Sequence, residues 1–144
     1  VLSPQSGKLA CRTKGKGKLM DVDMIVENLN LFFSEKKLQG KNAIVTAGPS
    51  IEKIDPLRFI GNFSSGLQGY EIAETLSFFG AKTTLISGPT KLMPPSNVEF
   101  ISVESSDEFL QKSIEKLPVD IYISVAAISD WKARNISKNK LKKK

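Results

Sequence analysis

Histidine is absent from the 144-residue sequence and cysteine occurs once, and these two scarcities exclude several kinds of chemistry. Catalysis by a Ser-His-Asp or Cys-His mechanism and metal binding through histidine are excluded. A single cysteine cannot form an internal disulfide, so nothing suggests an oxidising compartment. The apolar runs are a few residues long, whereas a membrane-spanning helix needs about 20 apolar residues. Since no signal peptide is evident either, we expect a cytoplasmic chain without a membrane partner.

Basic residues are concentrated at one end of the chain. The sequence carries 21 Lys and Arg against 15 Asp and Glu, a net charge of +6. Seven of the basic residues lie within residues 132–144, which hold no acidic residue: Lys132, Arg134, Lys138, Lys140, Lys142, Lys143 and Lys144. The remainder has 14 basic and 15 acidic side chains and is nearly neutral. A nucleic-acid-binding module that uses the lysine tail stays open, but a neutral body without an aromatic platform makes it the least favoured interpretation.

Two segments precede the main unit. Residues 1–19 are rich in Gly, Lys and Ser, show no periodicity, and are predicted to form a loop. A helix is predicted from Asp21, which can cap it, to about Leu38, with Gly40 as its stop.

The chain after residue 40 alternates between strand-like and helix-like patterns. Short apolar runs predict strands at residues 42–47, 83–87, 98–103 and 119–125. Helical periodicity follows Gly66, a polar loop is predicted at 50–63, and Ser105 with Glu108 has the spacing of a capping box. This order predicts an α/β fold, a Rossmann-like and mostly parallel sheet with flanking helices. In such sheets the ligand binds beyond the carboxyl ends of the strands.

Three segments near those strand ends are candidate sites. Ser64, Ser65 and Gly66 begin a helix, where free N–H groups and the helix dipole favour a phosphate, although a simple helix cap explains them about equally well. Arg58 suits a phosphate or carboxylate and Asn62 an oxyanion. The alternative for this pair is an Asp55–Arg58 turn contact with an Asn chosen for its turn geometry.

The third segment follows the last predicted strand. Its small residues would let a planar base lie against the backbone, and Asp130 would accept hydrogen bonds from an amino group or a ribose. Close packing of strand and helix, with Asp130 as a cap, is a fair alternative. The small residues are Ser124, Val125, Ala126 and Ala127.

Taken together, these motifs resemble the phosphopantothenate–cysteine ligase (phosphopantothenoylcysteine synthetase) domain of the bifunctional coenzyme A biosynthesis protein of bacteria. The resemblance is nearly continuous from Lys41 to Lys144 and rests on TAGPSIEKIDPLRFIGNFSSGLQG, TLISGP, DIYISVAAISDWKA and KNKLKKK. The string SGKLACRTKGKGKLMDV resembles the end of the flavin-dependent phosphopantothenoylcysteine decarboxylase. The resemblance implies three parts: the decarboxylase tail at 1–22, a linker helix at 23–40 and the N-terminal part of the ligase domain at 41–144, with a sheet incomplete at its C-terminus.

The resemblance also implies a reaction and a set of site residues. Phosphopantothenate would be activated by CTP to an acyl-cytidylate, and the amine of cysteine would displace CMP; Mg²⁺ would be the counter-ion, with no clear protein ligand. Asn62 would contact the acyl-cytidylate with support from Arg58, and Lys140 would neutralise the triphosphate. The nucleotide would be held by Gly48, Ser64, Ser65, Gly66, Ser124, Val125, Ala126, Ala127, Asp130 and Lys140.

Cys11 would correspond to the proton donor of the decarboxylase, whose FMN would bind in a body that these residues do not include. The resemblance implies small-molecule substrates and a homo-oligomer or a complementary chain. A non-catalytic remnant, or half of a split enzyme that needs a partner, is the alternative function.

Overall fold

The computed structural model describes residues 2–9, 11, 13–33 and 35–142. They form two compact units, Val1–Glu35 and Lys36–Lys144.

The first unit is an antiparallel hairpin of β1 (Gln5–Lys8) and β2 (Lys14–Lys18), followed by helix α1 (Val22–Phe33). The prediction of a loop for residues 1–19 is therefore wrong. The β2 sequence KGKGK has no apolar residue to give a periodic signal, and the hairpin is formed by backbone pairing that composition does not reveal. The helix also ends earlier than predicted. Leu38, taken as its last turn, instead donates its N–H to Phe79 O (3.0 Å) within the second unit.

The described residues of the second unit form eight elements. In chain order these are β3 (Asn42–Ala47), β4 (Ile51–Lys53), β5 (Phe59–Gly61), α2 (Leu67–Phe78), β6 (Lys82–Ser87), β7 (Glu99–Ser102), α3 (Ser106–Glu115) and β8 (Ile121–Ser124). Four strands form one sheet in the order β7-β6-β3-β8, and every neighbouring pair is parallel. The predicted α/β class and parallel sheet are confirmed.

The two faces of this sheet bury different helices. Val45, Ala47 and Leu85 pack with Tyr70 and Ala73 of α2. Because neighbouring residues of a strand point to opposite faces, Ile44 and Ile86 pack on the other side, in a cluster that contains Val103 of the β7–α3 connection and Phe109 of α3. Strands covered on both faces are buried along their length, which explains why residues 43–47 of β3 are all buried and, apart from Thr46, all apolar.

Helix α2 approaches β3 closely because one position of the helix has no side chain. A Cβ atom added at Gly69 would lie 2.5 Å from the Cβ of Ala47 and 3.0 Å from Cγ2 of Val125. Gly69 therefore sets the distance between the helix and the sheet.

A small hairpin of β4 and β5 replaces the polar loop predicted at residues 50–63. Its strands have three residues each, too few for alternation to be recognised. Contacts to the start of α3 hold it: Ile51 N donates to Glu104 O (2.8 Å), and Ser106 N donates to Oε1 of the buried Glu52 (2.8 Å).

The predicted cap of α3 is formed. Ser105 Oγ accepts the N–H of Glu108 (3.3 Å), and the Glu108 carboxylate in turn accepts the N–H of Glu104 (2.6 Å). Within the residues the structure describes, no helix has the length and apolar character to cross a membrane.

Candidate functional site

Three loops meet at the carboxyl edge of the sheet, around the side chain of Thr90. Gly48 follows β3 and Gly66 precedes α2, with φ angles of +72° and +77°. A Cβ atom at these positions would lie 2.9 Å and 2.7 Å from Cγ2 of Thr90. Thr90 Oγ1 in turn shares a hydrogen bond with the hydroxyl of Tyr70 (3.0 Å). Glycine is therefore required at both positions by backbone conformation and by space.

The start of α2 opens onto a cavity of about 480 Å³. Gly66 is the N-cap residue and provides no capping side chain, while Ser64 Oγ and Ser65 Oγ accept the N–H groups of Gly66 (3.2 Å) and Leu67 (3.3 Å). The next N–H groups of the first turn have no partner within the helix, and the helix dipole favours an anion beside them. The cavity is lined by Ser64, Ser65, Pro89, Thr90, Lys91 and Leu92.

Lys91 is a further candidate residue, which the sequence analysis did not name. It lines the same cavity as Ser64 and Ser65 and is exposed, so it places a positive charge beside the helix N-terminus. A signal was available, because Lys91 lies in a loop that follows a predicted parallel strand, at the edge where ligands bind.

The segment after β8 runs beside the loop after β3. Pro49 and Ala127 form a parallel bridge, Ala127 N donates to Gly48 O (2.9 Å), and Ser50 N donates to Ala127 O (3.2 Å). Ser50 Oγ accepts the N–H of Ser129 (2.8 Å). These bonds continue the β3–β8 pairing beyond the sheet, so the candidate base-binding segment lies against the candidate phosphate loops.

The predicted base-binding residues differ in exposure. Val125, Ala126 and Ala127 are half-buried, whereas Ser124 and Asp130 are exposed. Ser124 lines a second opening of about 220 Å³ that Ile128 also lines.

The side chain of Asn62 is hydrogen-bonded to the segment that follows β8. Asn62 follows β5, and its Nδ2 donates to Ile128 O (2.9 Å). The structure thus brings Asn62 next to the segment 124–130, as a site shared between a nucleotide and an acyl group would require.

Arg58 and Asp55 form an ion pair at the turn of the β4–β5 hairpin, in which the Asp55 side chain is buried and the Arg58 side chain is half exposed. The Asp55 carboxylate is fully covered and accepts bonds from Arg58 Nε (2.9 Å) and Nη2 (2.6 Å). It also accepts the N–H groups of Leu57 (2.8 Å), Arg58 (2.8 Å) and Leu141 (3.1 Å). The Arg58 guanidinium, followed by the N–H of Leu57, holds the pKa of Asp55 well below its usual range. The turn contact considered for this pair is therefore formed.

Lys140 lies in a segment held by this turn. Arg58 Nη2 donates to Leu141 O (2.9 Å), and Ser137 N donates to Ile54 O (3.0 Å). Lys138 and Lys140 are exposed between these two anchors. The last two lysines of the tail, Lys143 and Lys144, lie outside the described residues.

Cys11 belongs to the first unit, in the turn between β1 and β2. It is exposed, and its Sγ shares a hydrogen bond with Thr13 Oγ1 (3.0 Å), which lowers the pKa of the thiol. Across the part of the chain that the structure describes, no group of three or more His, Cys, Asp or Glu is placed to bind a metal.

A match to a protein family model identifies the family of this chain. The model of the DNA/pantothenate metabolism flavoprotein C-terminal domain matches residues 38–144. The chain belongs to this family. The family and the fold expected from the sequence are confirmed.

Named relatives agree with this assignment. The Coenzyme A biosynthesis bifunctional protein CoaBC of Haemophilus influenzae is 43% identical over 145 residues, which cover 99% of this chain and 36% of the relative. A cysteine/cysteine sulfinic acid decarboxylase from an unknown prokaryotic organism is 39% identical over 150 residues, with 99% and 42% covered. The chain thus spans about a third of the length of the coenzyme A relatives that it matches.

A solved structure has the same fold. The crystal structure of the C-terminal domain of CoaBC is 46% identical and superposes with a TM-score of 0.67 over 72% of this chain and 53% of that chain.

Proposed function

We propose that the second unit carries part of the site of a CTP-dependent phosphopantothenate–cysteine ligase of coenzyme A biosynthesis. Membership of the pantothenate-metabolism family and relatives named for coenzyme A biosynthesis support this proposal. The observation that carries it is the convergence of Gly48, Gly66 and Thr90 at the start of α2, beside the Asn62–Ile128 bond. This edge places an anion-binding helix N-terminus next to a backbone segment suited to a base.

The proposed reaction has two substitutions. The carboxylate of phosphopantothenate attacks the α-phosphorus of CTP, forming a C–O–P anhydride while the bond to the β-phosphate breaks and pyrophosphate leaves. The amine of cysteine then attacks the acyl carbon, CMP leaves with the electron pair of the broken C–O bond, and the ammonium proton passes to solvent. The first step joins two negatively charged groups, and the second develops negative charge on the acyl oxygen and on the departing CMP. Positioned cations and N–H donors therefore contribute more than a general base.

The start of α2 would hold the phosphates. Ser64, Ser65 and Gly66 shape the cavity, the N–H groups of the first turn would donate to phosphate oxygens, and Lys91 would add positive charge from the facing loop. Mg²⁺ would arrive bound to the phosphates of CTP, and no step is assigned to protein-held metal.

The segment after β8 would bind the nucleoside. Ala127 pairs with Pro49 of the loop after β3, Val125 and Ala126 are half-buried beside it, and the exposed Asp130 would accept a hydrogen bond from an amino group or the ribose. Asn62 would contact the acyl-cytidylate from the neighbouring loop, and Lys140 would neutralise the triphosphate. Cys11, in the first unit, would act as a proton donor only together with a decarboxylase body that binds FMN.

Calorimetric titration with Mg–CTP tests the proposal. We expect saturable binding, tighter for CTP than for ATP. Lys91→Ala should weaken it about tenfold, the contribution of a hydrogen bond to a charged group, while Lys112→Ala, which removes an equal charge from the exposed surface of α3, should leave it unchanged.

Catalysis is tested separately, by following pyrophosphate release when phosphopantothenate and CTP are mixed. Release by the wild-type chain, with a smaller yield of amide product from Asn62→Asp after cysteine is added, supports the proposed reaction. Binding without release identifies a half-site that needs a complementary chain. Absence of CTP binding refutes the proposal.

A further inference from the structure

Two anchors hold the lysine segment, defined here as residues 137–142, to the turn of the β4–β5 hairpin. At its start, Ser137 N donates to Ile54 O (3.0 Å). At Leu141 both backbone groups are held: the N–H donates to Asp55 Oδ2 (3.1 Å), and the carbonyl accepts from Arg58 Nη2 (2.9 Å). The segment is therefore fixed at two points with three residues between them.

The second anchor is a network of hydrogen bonds between a buried carboxylate, a half-exposed guanidinium and the backbone. The Asp55 side chain has no exposed surface and accepts five N–H bonds, two of them from the guanidinium of Arg58. A planar guanidinium that makes two bonds to one carboxylate has little freedom to rotate. The remaining bond, from Nη2 to Leu141 O, transfers this fixed geometry to the backbone of the lysine segment.

Lys140 is the residue that this geometry places. It immediately precedes Leu141, is exposed, and follows a turn in which Ser137 Oγ accepts the N–H of Asn139 (3.3 Å) and donates to its carbonyl (2.6 Å). A lysine on a mobile backbone loses conformational freedom when it binds an anion, and a fixed backbone reduces that loss.

The same hairpin also leads to Asn62. β5 ends at Gly61 and continues directly into Asn62, whose amide is bonded to Ile128 O (2.9 Å). One hairpin therefore carries Lys140 at its turn and Asn62 at its base, separated by a three-residue strand that spans about 10 Å.

We propose that Asp55 and Arg58 form a clamp that positions Lys140 for the triphosphate of CTP, and that Arg58 acts through the backbone of Leu141 rather than by its own charge on the ligand. Arg58 is then a positioning residue. This inference rests on the proposed function and deepens it, because it names how the lysine segment is aligned with the nucleotide site.

A double-mutant cycle tests the inference. CTP affinity is measured by calorimetry for the wild type, Arg58→Gln, Lys140→Ala and the double variant, after circular dichroism confirms that each is folded. Each single change should weaken CTP binding about tenfold. The double variant should bind no more weakly than Lys140→Ala alone, because a clamp has no effect once the residue it positions is removed.

A conservative variant separates geometry from charge. Arg58→Lys keeps the positive charge but cannot bond to Asp55 twice while also reaching Leu141, so it should bind CTP as weakly as Arg58→Gln. Wild-type affinity in Arg58→Lys, or additive losses in the double variant, would overturn the clamp and indicate direct contact between Arg58 and the ligand.

Hydrogen exchange measured without nucleotide tests the clamp independently of the proposed CTP-dependent function. Arg58→Gln should speed exchange of the Leu141 amide at least tenfold and leave buried amides of β3 unchanged. Unchanged exchange at Leu141 overturns the clamp whether or not CTP binds. If exchange behaves as expected but the wild type fails to bind CTP, the proposed function is refuted and the assignment of Lys140 to a triphosphate is refuted with it.

Discussion

The contact between α2 and β3 leads to a quantitative prediction for Gly69→Ala. The added Cβ atom would lie 2.5 Å from the Cβ of Ala47 and 3.2 Å from its Cα. Carbon atoms pack at about 3.5–4.0 Å, so the helix must move away from the strand by about 1 Å. Such overpacking costs about 1–3 kcal/mol, while alanine in place of glycine returns at most about 1 kcal/mol of helix propensity. With the full gain subtracted the net loss is about 0–2 kcal/mol, and because the 2.5 Å approach lies far inside normal carbon contact we expect a measurable loss in the upper part of this range.

Urea denaturation followed by circular dichroism measures this loss, with Gln68→Ala as the control. Gln68 is the preceding residue of α2 and is exposed, so its variant reports helix propensity without the contact to β3. Ala47→Gly removes the nearest atom and is expected to cost about 0.5–1 kcal/mol alone. Combined with Gly69→Ala, it should give a smaller loss than the sum of the two by about 1 kcal/mol.

The reasoning is refuted if Gly69→Ala is as stable as the wild type, or if the two losses are additive. Either result would mean that α2 tolerates a side chain at this contact. Because α2 also carries the candidate phosphate site at its N-terminus, the same variant should weaken CTP binding. Gln68→Ala should not.

Two further predictions concern stability. Ser105→Ala removes the acceptor of the Glu108 N–H and should lower the free energy of unfolding by about 1 kcal/mol. The control Ser102→Ala, at the exposed end of β7, should leave the free energy of unfolding unchanged. Equal urea midpoints for Ser105→Ala and the wild type would contradict the contribution of the cap. The Asp55 pKa is lower in the folded state, so its stabilisation is complete above the ordinary carboxyl pKa of about 4 and is lost as the pH falls. Thermal melts should therefore show the difference between wild type and Asp55→Asn narrowing below pH 4, and a constant difference would exclude this linkage.

The main sheet was predictable because its signals are local. Residues 43–47 of β3 are buried on both faces and, apart from Thr46, are apolar. The Ser105 cap needs only the next three residues. Gly80 likewise ends α2 in a conformation with φ of +96°, which glycine adopts readily. Each of these features can be read from a short window of sequence.

The two hairpins were not predictable for the opposite reason. β4 and β5 have three residues each, and β4 is held by Glu104 and Ser106, which lie about fifty positions further along the chain. The N-terminal hairpin pairs lysine and glycine residues that have low strand preference. Tertiary contacts and backbone pairing decide these segments, and local composition does not report them.

The candidate site also has features that the sequence predicts and features that it does not. The strands of the sheet are parallel, so the loops that carry Gly48, Gly66 and Ala127 are expected at the same edge of the sheet. Arg58 bonds to the backbone of Leu141, 83 positions away, because of where the tail lies against the hairpin turn. No sequence motif predicts this bond. The roles of the individual residues in binding and catalysis stay predictions for the titrations described above.

The position of β3 in the centre of the sheet has a consequence for the order of folding. Its neighbours are β6, which follows it after one helix, and β8, whose residues lie 78 positions further along. Since β3, α2 and β6 are closer together in the chain than β3 and β8, we expect them to form a crossover unit before β8 pairs with β3, because distant pairing closes a longer loop. The bonds from Ala127 to Gly48 and from Asn62 to Ile128 exist only after that step. Nucleotide affinity in a refolding experiment should therefore recover later than helical signal, in step with the docking of β8.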